Sequence, residues 1–149
     1  MRFSRLSRHG LSITALAVAA ALPVAFVQPA AAAPESAPLI WSFDKCAVAD
    51  GAWQGTAQGP TGSPELLETR LTGLRQSDSV LHVDFDWQVG ETYLAQLTGT
   101  LNLKTGAVVM NGWVAEGQYA GSRVHEEGQL YDAENSCFAG TIQVLPATG

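Results

Sequence analysis

Apolar and polar residues alternate one by one along most of this chain. That spacing marks β-strands, whose side chains point to opposite faces in turn. The clearest stretch is Leu81-His82-Val83-Asp84-Phe85-Asp86-Trp87-Gln88-Val89. Leu81, Val83, Phe85, Trp87 and Val89 fall on one face, and His82, Asp84, Asp86 and Gln88 on the other. Gly90-Glu91 then reads as a two-residue hairpin turn. The next strand runs from Thr92 to about Leu103, with Tyr93, Ala95, Leu97, Gly99, Leu101 and Leu103 on one face. Lys104-Thr105-Gly106 is another tight turn, with glycine placed for a left-handed backbone. A strand follows from Ala107 to about Ala115, and Asn111-Gly112 inside it suits a hairpin turn or a bulge. A turn there would leave a very short strand beside a long one, which favours the bulge.

Ser122 to Tyr131 is polar and strand-like, with Arg123, His125, Glu127 and Gln129 on one side. Cys137 to Leu145 is the last strand, with Phe138, Gly140, Ile142 and Val144 facing in. Toward the front, Leu39–Phe43, Ala52–Ala57 and Leu66–Leu74 are weaker strands, and Gly59 to Pro64 is a loop. No window of helical length carries a clean 3.6-residue period. The fold class is therefore all-β, with about eight short strands joined by tight turns and no crossover helix. A meander of that kind hides its edges by closing into an antiparallel up-and-down barrel; a β-sandwich is the alternative.

Two cysteines, Cys46 and Cys137, test that choice. Cys46 is expected just past the first strand and Cys137 at the start of the last. A closed barrel brings those positions together, and an open meander leaves them at opposite edges. A disulfide Cys46–Cys137 is therefore expected, closing nearly the whole domain. Gly-Thr recurs within strands at Gly55-Thr56, Gly99-Thr100 and Gly140-Thr141, where glycine suits a bend or close packing.

The N-terminus changes the setting. Arg2, Arg5 and Arg8 precede an uncharged run from Leu11 to Val27, and Ala30 to Ala33 follow. This is the pattern of a secretory signal peptide, assigned to residues 1–32 with cleavage after Ala32. Residues 33–38 form a disordered lead-in, and 39–146 a single barrel domain. The exported chain has five basic residues (Lys45, Arg70, Arg75, Lys104 and Arg123) and all 14 acidic ones, a net charge of −9 against −6 for the whole chain. That balance argues against nucleic acid or an anionic membrane surface as a partner. The expected localisation is secreted, in an oxidising compartment that permits the disulfide, with no stable membrane insertion after cleavage. Leu145-Pro146-Ala147-Thr148-Gly149 matches the L-P-x-T-G sorting pattern, without the apolar and basic continuation a complete signal needs, so cell-wall attachment is not expected.

Gly99 to Val114 (GTLNLKTGAVVMNGWV) and His125 to Pro146 (HEEGQL…CFAGTIQVLP) carry a resemblance to calycin-type small barrels of the lipocalin, avidin and allene-oxide-cyclase sort. More narrowly, they resemble small exported bacterial β-barrel proteins of unknown function. The likeness covers about the last third of the chain and implies a barrel architecture. The G-x-W motif of calycins is absent, since Trp41 is followed by Ser42-Phe43-Asp44, so the resemblance transfers no functional residue.

Candidate chemistry is sparse. His82, Asp84 and Asp86 share one strand face at about 7 Å spacing, where they can bind a divalent ion, share acid–base work or merely face solvent. His125 and Glu127 form a second polar pair, and a joint site with His82 and Asp84 would need neighbouring strands. Phe85, Trp87, Tyr93 and Trp113 are candidates to line a ligand cavity, with core filling as the alternative. No metal site and no cofactor are expected. The first functional expectation is a non-enzymatic exported barrel that binds a small apolar ligand or a protein partner. The second is a barrel isomerase or cyclase using His82 or His125 with a carboxylate. The third is an extracellular interaction or inhibitor module acting through loops such as Gly59–Pro64.

Overall fold

The computed structural model describes residues 37–146. The residues expected to form a signal peptide, most of those expected to form a lead-in, and Ala147-Thr148-Gly149 lie outside the described residues. Eight strands follow one another: β1 Leu39–Ala49, β2 Ala52–Gln58, β3 Pro64–Ser77, β4 Val80–Val89, β5 Tyr93–Asn102, β6 Ala107–Gly117, β7 Arg123–Asp132 and β8 Cys137–Leu145. They form a closed barrel in chain order, every neighbour antiparallel, with β1 hydrogen-bonded to both β2 and β8. Closure removes the sandwich alternative.

Alternation puts the core inside. Leu67, Trp87, Val89, Ala95, Leu97, Met110, Val114, Ile142 and Val144 are buried in the interior, and their even-spaced neighbours face solvent. Four bulges adjust this phase where one strand carries an extra residue: Val48, Thr72, Ala115 and Tyr131. The bulge expected at Asn111-Gly112 is not there. Both residues pair regularly with β5 and β7, and the extra residue is Ala115. Leu103, expected on the inner face of β5, lies beyond the strand end and is exposed. The bulge at Thr72 lets both Leu71 and Leu74 reach the interior side.

The first strand is longer than alternation alone suggested. β1 continues to Ala49, so Cys46 lies inside it and not past its end. In the β1–β8 register Lys45 faces Phe138, which brings the next residue, Cys46, to Cys137, and the two form the disulfide. The bond joins chain positions 91 residues apart across the seam where the barrel closes. By the loop-entropy argument it stabilises the domain by roughly 4–5 kcal/mol. The seam is reinforced at the same end. Tyr131 Oη donates to Asp44 Oδ1 at 3.1 Å, and Trp53 Nε1 donates to the Ser136 carbonyl at 3.0 Å. The β7–β8 turn is itself held by Asp132, whose carboxylate accepts from Glu134 N, Asn135 N and Asn135 Nδ2. These bonds, the Asn135 side chain first, keep the Asp132 carboxyl below the usual range.

A narrow barrel forces its strands to coil sharply, and the inner face has no room for side chains at some crossings. A Cβ on Gly140 would stand 2.1 Å from the Glu127 carbonyl oxygen, and one on Gly99 2.1 Å from that of Val109. Two of the three Gly-Thr steps thus mark such crossings, and Gly55 is the third, pressed on Asp44.

Two outcomes follow for stability. Gly140→Ala forces backbone apart and should cost about 2 kcal/mol or more in urea denaturation. Reducing the disulfide, or Cys46→Ser with Cys137→Ser, should lower stability by about 4 kcal/mol while leaving the β-sheet circular dichroism of the folded fraction unchanged.

Candidate functional site

The two ends of the barrel differ. One end carries the chain entry and the β2–β3, β4–β5 and β6–β7 connections. There Trp41 packs edge-to-face on Tyr93 at 5.3 Å and on Tyr119 at 5.5 Å between ring centroids, and closes the interior. The β2–β3 loop lies over this plug: Gly59 is pressed so closely on the Trp41 indole that a Cβ would reach 2.1 Å from Nε1. Gly59–Pro64 is therefore partly a cover for the core. Its own turn is tied by Gly62 N to the Gly59 carbonyl and by Gln58 Nε2 to the Gly62 carbonyl.

The other end carries the β1–β2, β3–β4, β5–β6 and β7–β8 turns, and here the interior is open. A cavity of about 180 Å³ lies inside it. Leu71, Leu74, Leu81 and Leu101 line its outer part and Val83, Phe85, Val108 and Met110 its inner part. The first group is half-buried or exposed, so the cavity opens to solvent at this end.

Two ionisable side chains also line the cavity: Lys45 from β1 and Glu126 from β7, only 4 % and 1 % exposed. Lys45 is in phase with Trp41 and Phe43 on the inner face of β1, and Glu126 is in phase with Val124 on β7. The ammonium of Lys45 sits 3.6 Å from the Trp87 ring centroid, with Phe85 at 5.2 Å, Phe43 at 5.4 Å and Phe138 at 5.9 Å. The electron-rich ring faces attract its charge. Among the described residues it has no hydrogen-bond acceptor and no ion pair within 4 Å. Glu126 Oε2 is buried and has no hydrogen-bond partner among the described residues.

Burial disfavours charge on both groups. It lowers the Lys45 ammonium to about 8, against the opposing pull of Glu126. It raises the Glu126 carboxyl to about 7, against the opposing pull of Lys45. The floor of the cavity thus carries an amine and a carboxyl that both exchange protons near neutral pH, in apolar walls, with hydrogen-bonding capacity unused.

The residues singled out from sequence are placed as follows. Phe85 lines the cavity, whereas Trp87 is fully buried against the Lys45 ammonium and is not one of the lining residues. Tyr93 belongs to the plug at the opposite end, its hydroxyl buried without a partner, so it lines no part of this cavity. Trp113 is 56 % exposed on the outer face of β6 and is not a lining residue. His82, Asp84 and Asp86 point outward on β4, where Asp84 accepts from Thr98 Oγ1 at 2.6 Å. His125 points outward on β7, with Nδ1 2.8 Å from Asn111 Oδ1 and Nε2 3.2 Å from Glu127 Oε1. β5 and β6 lie between β4 and β7, so the two histidine groups do not combine. Among the described residues no cluster of three or more His, Cys, Asp or Glu is arranged to hold a metal.

Lys45 and Glu126 were missed, although parity held a signal for each. Glu126 lies between His125 and Glu127 on a strand whose outer residues are polar, so it must face inward. Lys45 continues the Trp41-x-Phe43 face once β1 is allowed to extend. No protein-family model matches the chain, and no curated protein is found that matches it.

Stability should report the two buried groups with opposite signs. For Glu126 the folded carboxyl keeps its proton up to about pH 7 while the unfolded one releases it near 4.5, so stability falls as pH rises through that window. For Lys45 the folded amine loses its proton near pH 8 and the unfolded one near 10.5, so stability rises with pH between those values. Midpoints of thermal unfolding across pH 4–11 should show a shallow minimum near 7–8. Glu126→Gln should flatten the acid arm and Lys45→Met the alkaline arm.

Proposed function

We propose that this chain is an exported binding barrel that takes one small, mostly apolar molecule into the cavity at its turn end. The observation that carries this is the cavity itself, an apolar-walled space of about 180 Å³ with one amine and one carboxyl at its floor. An apolar cavity of ~150 Å³ accepts a benzene-sized guest, whereas drug-sized ligands need ~300 Å³ or more. The ligand class is accordingly a short alkyl or single-ring compound. Export is supported by the N-terminal basic-apolar-small pattern and by the Cys46–Cys137 disulfide, which suits an oxidising compartment. The calycin-like resemblance of the last third of the chain is in keeping with a ligand held inside a barrel. The histidines stand outside, so chemistry through His82 or His125 in the barrel interior has no support.

Titration with 1-hexanol, a short alkyl probe that cannot react with an amine, tests the binding. The Trp53 indole lines the cavity, so saturable change in tryptophan emission is the expected result, confirmed by shifts of the Met110 methyl resonance. Leu81→Trp at the mouth should abolish the response and change the unfolding midpoint by only a few degrees. A non-saturable response, or one that survives Leu81→Trp, refutes the proposal.

A further inference from the structure

Lys45 is an unusual side chain to place at the floor of an apolar cavity. An ammonium that served only to hold the barrel together would be expected to meet a carboxylate or carbonyl oxygen, since a buried charge is costly unless hydrogen-bonded. Lys45 meets aromatic faces instead, and among the described residues its nitrogen has no acceptor. Trp87 covers one side of that nitrogen, and the cavity lies against the residue. Glu126 lines the same cavity with an unpartnered buried oxygen. A nucleophilic amine, a proton donor and an adjoining apolar space are the three parts needed to condense an amine with a carbonyl compound.

We propose that Lys45 captures small apolar aldehydes or ketones as a reversible imine, with Glu126 as the proton donor. The inference rests on the cavity being the ligand site. The neutral amine of Lys45 attacks the carbonyl carbon and forms the C–N bond, while the C=O π pair moves to oxygen, which takes up the proton that the now cationic nitrogen gives up, leaving a neutral carbinolamine. Glu126 then donates its proton to the hydroxyl of this carbinolamine. Water leaves, the nitrogen lone pair forms the C=N bond, and the iminium that remains can return its proton to Glu126. One carbonyl compound and one amine give one imine and one water, with no oxidant or reductant involved. The apolar walls hold the alkyl or ring part.

This placement meets the chemistry near neutral pH. Burial brings Lys45 down to about 8, which favours the free amine near neutral pH. Burial raises the Glu126 carboxyl to about 7, which favours its proton-donating form. Lys45 and Glu126 are the charged groups that face each other across the floor, and neither titration is shifted by any other charged side chain.

The chain carries its own control, because Lys104 in the exposed β5–β6 turn is the other lysine of the barrel domain. The oxidised protein is incubated with hexanal at neutral pH, imines are fixed with cyanoborohydride, and the modified lysines are located by peptide mass spectrometry. Lys45 should be alkylated at least about tenfold faster than Lys104. Excess 1-hexanol should slow Lys45 and leave Lys104 unchanged. Glu126→Gln should slow Lys45 and shift its pH optimum, and Lys45→Met should leave only the exposed amines reactive. Saturable hexanol binding with Lys45 no faster than Lys104 overturns the imine and leaves the binding barrel standing. Absence of both hexanol binding and selective alkylation overturns both.

Discussion

Everything in this structure depends on β1 pairing with β8. A meander of antiparallel strands buries one face only if its first and last strands meet; otherwise two edges and an open, wet interior remain. β1 meets β2 and β8 at once, and Cys46–Cys137 makes the second pairing covalent. The same seam builds the floor of the cavity. Lys45 precedes Cys46, Phe138 follows Cys137, and the register sets them opposite each other. Opening the seam would separate Lys45 from the ring of Phe138 and admit water to the floor.

Closure also decides why the interior is filled at one end and vacant at the other. Trp41, Tyr93 and Tyr119 interlock edge-to-face and occupy the end where the chain enters. Toward the turns the inner positions shorten to leucine, valine and methionine, with Trp53, Phe85 and Phe138 as the larger apolar side chains, and these do not fill the barrel. Volume, more than polarity, makes the cavity. The polar exception is the pair Lys45 on β1 and Glu126 on β7, whose ammonium is set among aromatic rings. Apolar residues would fill that floor at lower desolvation cost. A buried amine and carboxyl whose proton affinities both move toward neutrality are more economically explained by a ligand than by folding.

The histidines show how easily polar residues mislead in a β-protein. His82-x-Asp84-x-Asp86 and His125-x-Glu127 have suggestive composition because the outer face of any amphipathic strand collects polar residues. Barrel order then sets two strands between them. The informative residues were those out of keeping with their face: Glu126 among inward positions of β7, and Lys45 in phase with Trp41 and Phe43. Glu126 was legible from the alternation that assigned His125 and Glu127 outward. Lys45 was hidden by a strand end drawn too early, at Phe43, because Lys45-Cys46-Ala47 carries no strong apolar alternation of its own.

Alternation by itself determined the all-β class, most of the inner and outer faces and the strand order, because successive side chains on a strand must point opposite ways. The cysteines added closure, because a disulfide needs two backbones within a few ångströms. What only the tertiary structure decided is long-range register and volume. The bulges at Val48, Thr72, Ala115 and Tyr131 reset the phase of strands at points no local pattern marks. Whether Trp113 lines a cavity or faces solvent, and whether facing side chains meet or leave 180 Å³ between them, depends on the diameter and coiling of the closed barrel. Those are properties of eight strands together, which no single strand encodes.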